Sequence, residues 1–274
     1  VNGIPARYRR AYSPLDSRKP IPTVRAGRVV YLSHHLCHAA SAWRLSGQKE
    51  SWILSVDGRG DRETAAVFKA ARGRIRQVRD ILSLSDRSIG GVYETVTRLL
   101  GFGSHGQGSV MALASFGKPS LDLFRFLSFR ARRDYCVHEE GLTERFARWA
   151  RRPGAPLARR HKDLAASLQA ALEGFIPALL KDSGVARGAG LCLSGGVALN
   201  CRMNALVRRV LRPKAMFVSP AANDAGTALG AALEASAVFG FPSAKSLGHS
   251  YLGPEFTERE AEAALKRAGL DYRR

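Results

Sequence analysis

Residues 32–40, Leu-Ser-His-His-Leu-Cys-His-Ala-Ala, decide how the rest of this chain is read. The apolar run before them, Val29-Val30-Tyr31-Leu32, reads as a strand, and Ala39, Ala40, Ala42, Trp43 and Leu45 after them predict a helix over 34–45. On such a helix His34 and His38 stand one above the other on one face. That is the spacing at which two imidazoles share a first-row metal ion. An isolated HxxxH pair more often caps a helix start and hydrogen-bonds, so the pair alone is not a site. Two later stretches offer further ligands: Asp57, in the run from Ser55 to Asp61, and Asp224, in the run from Ser219 to Gly230. Two histidines with two aspartates favour iron(II), manganese or zinc over calcium, which prefers oxygen ligands throughout.

Composition sets the outer bounds. With 274 residues, 45% apolar and 27 of them glycine, the chain can bury a core as one large domain or two lobes, and it is loop-rich and globular. No secretory leader pattern and no unbroken apolar bilayer span is apparent, which makes the cytoplasm the expected location, without a membrane partner. The four cysteines, Cys37, Cys136, Cys192 and Cys201, form no CxxC pair, and three lie in apolar stretches suited to buried thiols. Cys37 lies between two candidate ligands but should point away from the face shared by His34 and His38. The net charge of +20 is mostly arginine, concentrated in Arg125–Arg133 and Arg145–Arg160. No aromatic stacking set, zinc finger or helix-turn-helix accompanies it, so a solvated basic face is expected and no specific nucleic-acid partner.

Residues 1–27, rich in proline and arginine, read as a loop or unanchored end. A strand over 52–56 leads to the turn Asp57-Gly58-Arg59-Gly60-Asp61, and two β stretches follow at 64–70 and 74–82, joined at Arg72-Gly73. Helix is expected over 90–100 and along the apolar face of Leu164, Leu168, Leu172, Phe175, Ile176 and Leu179, with a kink before Pro177. Lys181 and Gly184 are its stop signals. Then strand, glycine-rich loop and helix recur twice: strand 190–194 with a helix from Val197 to Val210, and strand 216–218 with a helix from Ala225 to Ala237. A charged helix starting at Thr257 closes the chain. This alternation argues an α/β architecture with ligands at strand ends.

The junctions carry the chemistry. Gly195 and Gly196, at the start of a helix, suit a nucleotide's ribose or phosphate, with Asn200 one turn in to hydrogen-bond it. A tight strand–helix turn with Asn200 capping locally explains the same residues equally well. Asp224 could cap its helix or reach from the strand–helix junction to a metal.

The ordered series HHxxH, DGxG, SGGVALN and NDAGTALG, from about Leu32 to Leu265, resembles the NodU/CmcH family of O-carbamoyltransferases. The resemblance implies an actin/Hsp70-like (ribonuclease H-like) ATPase fold with duplicated lobes, the N-terminal one incomplete here. It also implies a carbamoyltransferase domain over 1–242 and, over 243–274, a linker and the start of a YrdC-like domain. His34, His38, Asp57 and Asp224 match the family's metal and catalytic set, usually ferrous iron. Gly195, Gly196 and Asn200 fall at its adenylate-holding junction. The implied reaction forms carbamoyl adenylate from carbamoyl phosphate and ATP on the second domain, then transfers the carbamoyl group to a hydroxyl. The acceptor would be a sugar, an aminoglycoside or another natural product. In the segment Gly103–Lys118, Gln107 and Ser109 stand where the family usually has an acid and a lysine, and Ala112 where it has glycine. Two rival readings stay open: a threonylcarbamoyl transferase acting on tRNA, which has an aromatic ligand where this chain has Asp57, and a non-catalytic fragment.

Overall fold

The computed structural model describes residues 30–61, 63–82, 88–120, 127–130, 134–137, 141–242 and 246–273. The expectations for residues 1–27, and for most of Arg125–Arg133, lie outside them. Three long elements open the fold: helix α1 (His34–Leu45), strand β1 (Glu50–Val56) and the hairpin of β2 (Glu63–Ala71) with β3 (Arg74–Leu82). Arg72 and Gly73 close that hairpin with φ of 51° and 74°, the left-handed pair that a two-residue turn between twisted strands requires. Helices α2 (Ile89–Leu99) and α3 (Gln107–Leu113), a short hairpin β4 (Leu127–Arg130) with β5 (Asp134–Val137), and the one-turn helix α4 (Leu142–Arg145) follow. Then come α5 (Arg159–Asp182), β6 (Leu191–Ser194), α6 (Cys201–Leu211), β7 (Met216–Val218), α7 (Ala225–Val238) and α8 (Glu258–Arg267).

The main sheet has the order β3-β2-β1-β6-β7. β1, β2 and β3 form an antiparallel meander, and β6 and β7 extend it in parallel. This mixed sheet in an α/β layering is the arrangement expected of one actin/Hsp70-like lobe, and among the described residues it occurs once. Side-chain alternation divides its two faces. Leu54, Val56, Ala65, Val67, Leu191 and Leu193 face one core with α2, α5 and α6; Ile53, Ala66, Phe68, Ala70 and Cys192 face the other with α1.

α1 and α7 lie together on the second face. The Arg44 guanidinium meets the Glu234 carboxylate at 2.6 Å, with the two side chains 7% and 1% exposed. Gly230 makes the closest approach: a Cβ built there would stand 1.8 Å from the Cys37 carbonyl oxygen. α5, 24 residues long, is apolar enough to cross a membrane by length and composition, but it is a core helix with Leu164, Leu168, Leu172, Ile176 and Leu179 fully buried. It runs unbroken through Pro177 and ends at Ser183 before Gly184.

Two local expectations need correction. Residues 30–33 form no strand. Both sides of β1 are occupied by β2 and β6, and Val30 and Leu32 instead pack as side chains against the α1 core. The helix expected from Val197 begins at Cys201, because Asn200 accepts the Met203 N–H as its N-cap and tightens residues 196–199 into a 3-10 turn. The tail packs lightly: the Leu247 N–H donates to the Leu45 carbonyl, and α8, closed by a Thr257/Glu260 capping box, buries no residue.

Candidate metal centre

Three chain junctions meet at the carboxyl ends of β1 and β6. Ser33 caps α1 by accepting the Leu36 N–H, and the Asp61 carboxylate accepts the His34 N–H at 3.0 Å, fixing the first turn. Asp57 follows β1 directly. Its Oδ1 accepts the Gly58 N–H at 2.6 Å, and the Ser88 hydroxyl, at the N-cap of α2, donates to its carbonyl at 3.0 Å. Asp224 precedes α7, yet its side chain makes no cap bond. It turns instead to the histidines, so the local capping role does not hold.

One donor atom each from His34, His38, Asp57 and Asp224 lies within 4.8 Å of the others. His38 Nε2 is 2.9 Å from Asp57 Oδ2, 3.1 Å from His34 Nε2 and 3.4 Å from Asp224 Oδ1. His34 Nε2 is 3.6 Å from Asp57 Oδ2 and 3.3 Å from Asp224 Oδ1. Four ligands about 2.1 Å from a tetrahedrally bound ion would stand roughly 3.4 Å apart, so the spacing fits a transition metal without rebuilding. The chemistry of the set fits as well, since two neutral imidazoles and two carboxylates carry donors that one divalent cation can satisfy together. Exposure grades across it: His38 is fully buried, Asp57 and His34 are 16% and 21% exposed, and Asp224 is 72% exposed at the mouth.

The electrostatics match. Burial alone would raise the Asp57 carboxyl, but hydrogen bonds from His34, His38 and the Gly58 N–H hold it well below the usual carboxylate range. The hydrogen bond to Asp57 raises His34 against the opposing effect of burial. Burial and the nearby Asp57 carboxylate both raise Asp224. His35, the third histidine of the motif, takes no part. Its Nε2–H donates to the Glu63 carbonyl at 3.0 Å, and its Nδ1 accepts from the Ser55 hydroxyl at 2.7 Å. Because a carbonyl only accepts, both ring nitrogens are spent inside the fold. Cys37 is buried and outside the cluster.

A cavity of about 460 Å³ adjoins the centre, lined among others by Asp57, Tyr93, Gln107, Gly196, Asn200 and Asn223. Gly195, at φ 85°, packs on the end of β1, where a Cβ would meet the Val56 carbonyl oxygen at 2.1 Å. It shapes the junction, and Gly196 faces the cavity beside Asp57 Oδ1. The Asn200 side chain caps α6 and pairs with the amide of Gln169, through Nδ2 to Oε1 at 2.9 Å and Oδ1 from Nε2 at 3.1 Å. The Tyr93 hydroxyl donates to the same Gln169 Oε1 at 3.1 Å. Gln169 and Ser88 escaped the reading of the sequence, since nothing local in α5 or before α2 marks them. Gln107 lines the cavity and donates to the Ser104 carbonyl; Ser109 is exposed.

Comparison with known proteins identifies the family. Residues 15–233 match the family described as "Carbamoyltransferase N-terminus". Nodulation protein NolNO of Sinorhizobium fredii is 36% identical over 254 residues, spanning 88% of this chain and 36% of that protein. Nodulation protein NolO of Bradyrhizobium diazoefficiens is 35% identical over 238 residues, spanning 84% of this chain and 43% of that protein. A tRNA N6-adenosine threonylcarbamoyltransferase of Corynebacterium aurimucosum is 33% identical over 142 residues, 49% of this chain and 40% of that protein. The chain thus spans less than half the length of these relatives. Matched by the family over most of its length, it belongs to the carbamoyltransferases and corresponds to their N-terminal region.

Proposed function

We propose that this chain is the metal- and adenylate-binding part of an O-carbamoyltransferase that moves a carbamoyl group from carbamoyl adenylate to a hydroxyl of a sugar or another natural product. The observation that carries this reading is the convergence of His34, His38, Asp57 and Asp224 at the edge of a cavity containing Gly196 and Asn200. A volume of about 460 Å³ lies within the range, about 300–1,000 Å³, of pockets that enclose small ligands. His34, His38, Asp57 and Asp224 would hold ferrous iron or another divalent transition metal, which when bound supplies a Lewis acid for phosphate and carbonyl oxygens. Gly196 offers the adenylate a wall without a side chain. The Tyr93–Gln169–Asn200 network lies along one wall of the cavity, and in this reading the phosphate end of the adenylate would face Asp57 and the acceptor would enter past the exposed Asp224. In the transfer, the acceptor oxygen bonds to the carbamoyl carbon, the bond from that carbon to the phosphate oxygen breaks, AMP leaves and the acceptor's proton is released. Carbamoyl adenylate would be made from carbamoyl phosphate and ATP by a YrdC-like domain such as the longer relatives have room for, in the cytoplasm where ATP is available.

Titration of the purified chain with iron(II), manganese(II) and zinc(II) should saturate near one equivalent. The double variant His34→Ala/His38→Ala should lose that binding, and equal binding by the two proteins rules the reading out. A transfer directed at tRNA is the second reading, supported by the 33% identical segment and the net charge of +20. Arg151, in one of the two basic runs, weighs against it: its guanidinium donates to the carbonyls of Leu100, Ala155 and Gly101 and stacks over Phe102, a structural use of that charge.

A further inference from the structure

A second cavity, of about 1100 Å³, lies at the amino end of β1, the opposite end of that strand from Asp57. Its walls come from the end of α1 (Trp43, Arg44), the chain entering β1 (Lys49, Glu50), the β2–β3 turn (Arg72) and the chain entering β7 (Lys214). The ionisable lining is therefore four cations against one carboxylate. Two of the cations are committed: Arg44 to Glu234 at 2.6 Å, and Lys214 to Glu50 at 3.5 Å. Lys49 and Arg72 are exposed, and their side chains have no ion-pair or hydrogen-bond partner among the described residues. They leave the cavity with two unopposed positive charges. Trp43 adds an independent sign. It is 6% exposed, and its indole Nε1–H is buried with no acceptor among the described residues. Buried N–H groups are nearly always paired, because leaving one without an acceptor forfeits its hydration for nothing in return. The carbonyls that end α1, which would repel an anion, are taken up. That of Trp43 accepts from the Ser46 N–H and hydroxyl, and that of Leu45 from the Leu247 N–H.

We propose that this cavity is a second ligand site, for a small molecule carrying two or more phosphate or carboxylate groups. Lys49 and Arg72 meet the anionic groups, and a ligand oxygen supplies the acceptor that the Trp43 N–H lacks. Pockets for small ligands span about 300–1,000 Å³, so a single inorganic ion would leave this one mostly empty and a polyanion on a carbon frame suits it better. The site is independent of the carbamoyl-transfer reading, whose residues Asp57, Gly196 and Asn200 line the other cavity.

Calorimetric titration of the metal-free chain with pyrophosphate and with citrate, at fixed ionic strength, tests the proposal. At least one should bind near one equivalent, and the tighter of the two distinguishes phosphate from carboxylate recognition. Lys49→Ala/Arg72→Ala, a change at two exposed positions, should weaken that binding about tenfold or more. Arg159→Ala/Arg160→Ala removes the same charge from exposed positions at the start of α5 and should change it less than about threefold. In nitrogen-15 NMR the Trp43 indole N–H signal, assigned by its loss in Trp43→Phe, should shift on saturation with the anion. No binding of either anion, equal effects of the two double variants, or a Trp43 signal that moves no more than that of Trp149 each overturns the proposal.

Discussion

Gly230→Ala should weaken metal binding from a position that touches no ligand. A Cβ at residue 230 would stand 1.8 Å from the Cys37 carbonyl oxygen and 3.0 Å from the Ser41 nitrogen. Real contacts of this kind essentially never fall under 3.0 Å, so α7 must withdraw from α1 by about 1.2 Å or more. α7 carries Asp224 at its start, while α1 carries His34 and His38. Metal–ligand distances tolerate only about 0.2 Å. A retreat several times larger therefore takes Asp224 Oδ1 out of range, and the site keeps three ligands. Affinity should drop about 10–100-fold, toward that of Asp224→Ala. Overpacking should also cost about 1–3 kcal/mol of stability. Chelator competition gives the affinity, and circular dichroism with urea unfolding shows that the variant is folded. Gly248→Ala, where a Cβ would meet nothing within 4 Å, is the control and should match wild type. A folded Gly230→Ala protein that binds metal as tightly as wild type would refute the argument that α1–α7 contact sets the fourth ligand.

Three further outcomes are expected. Burial lowers His35 to about 4 from 6.5, so the unfolded chain binds the extra proton between those values. Stability from this residue is complete above pH 6.5 and about 3 kcal/mol of it is lost as pH falls through 4, whereas the raised His34 acts in the opposite sense above pH 6.5. Urea unfolding of the metal-free protein at pH 7 and 4.5 should show the fall, and a His35→Gln variant with the same pH slope would contradict it. Asn200→Ala removes the cap of α6 and two of the hydrogen bonds of the Gln169 amide, which keeps Tyr93 and Glu173, and should lower unfolding stability by about 1–2 kcal/mol; a loss under about 0.5 kcal/mol would show that the pair is not formed. Binding to tRNA or duplex DNA should be weak and lost steeply as salt rises, as measured by fluorescence anisotropy, and tight binding to one tRNA at physiological salt would favour the second functional reading.

Sequence alone determined the elements whose signal is local. The alanine-rich run after His34, the short apolar runs over 52–56 and 64–70, the Arg72-Gly73 turn and the apolar stripe from Leu164 to Leu179 each carry their own local signal, and each is found in the fold. The spacing of His34 and His38 and the order of the motifs likewise marked the four residues that meet, because a helix fixes which side chains share a face. Tertiary structure decided what depends on partners far along the chain. Residues 30–33 have the composition of a strand and no free edge of β1 to pair with. Asn200 could cap or contact a ligand, and the Gln169 amide 31 residues away settled how it is held. Asp224 could cap α7, yet the close approach of Gly230 to Cys37 brings it to the histidines instead. His35 is kept out of the cluster by Ser55 on β1 and the Glu63 carbonyl on β2, two strands that meet α1 only in the folded protein, and hydrogen bonds between groups so far apart have no trace in local sequence.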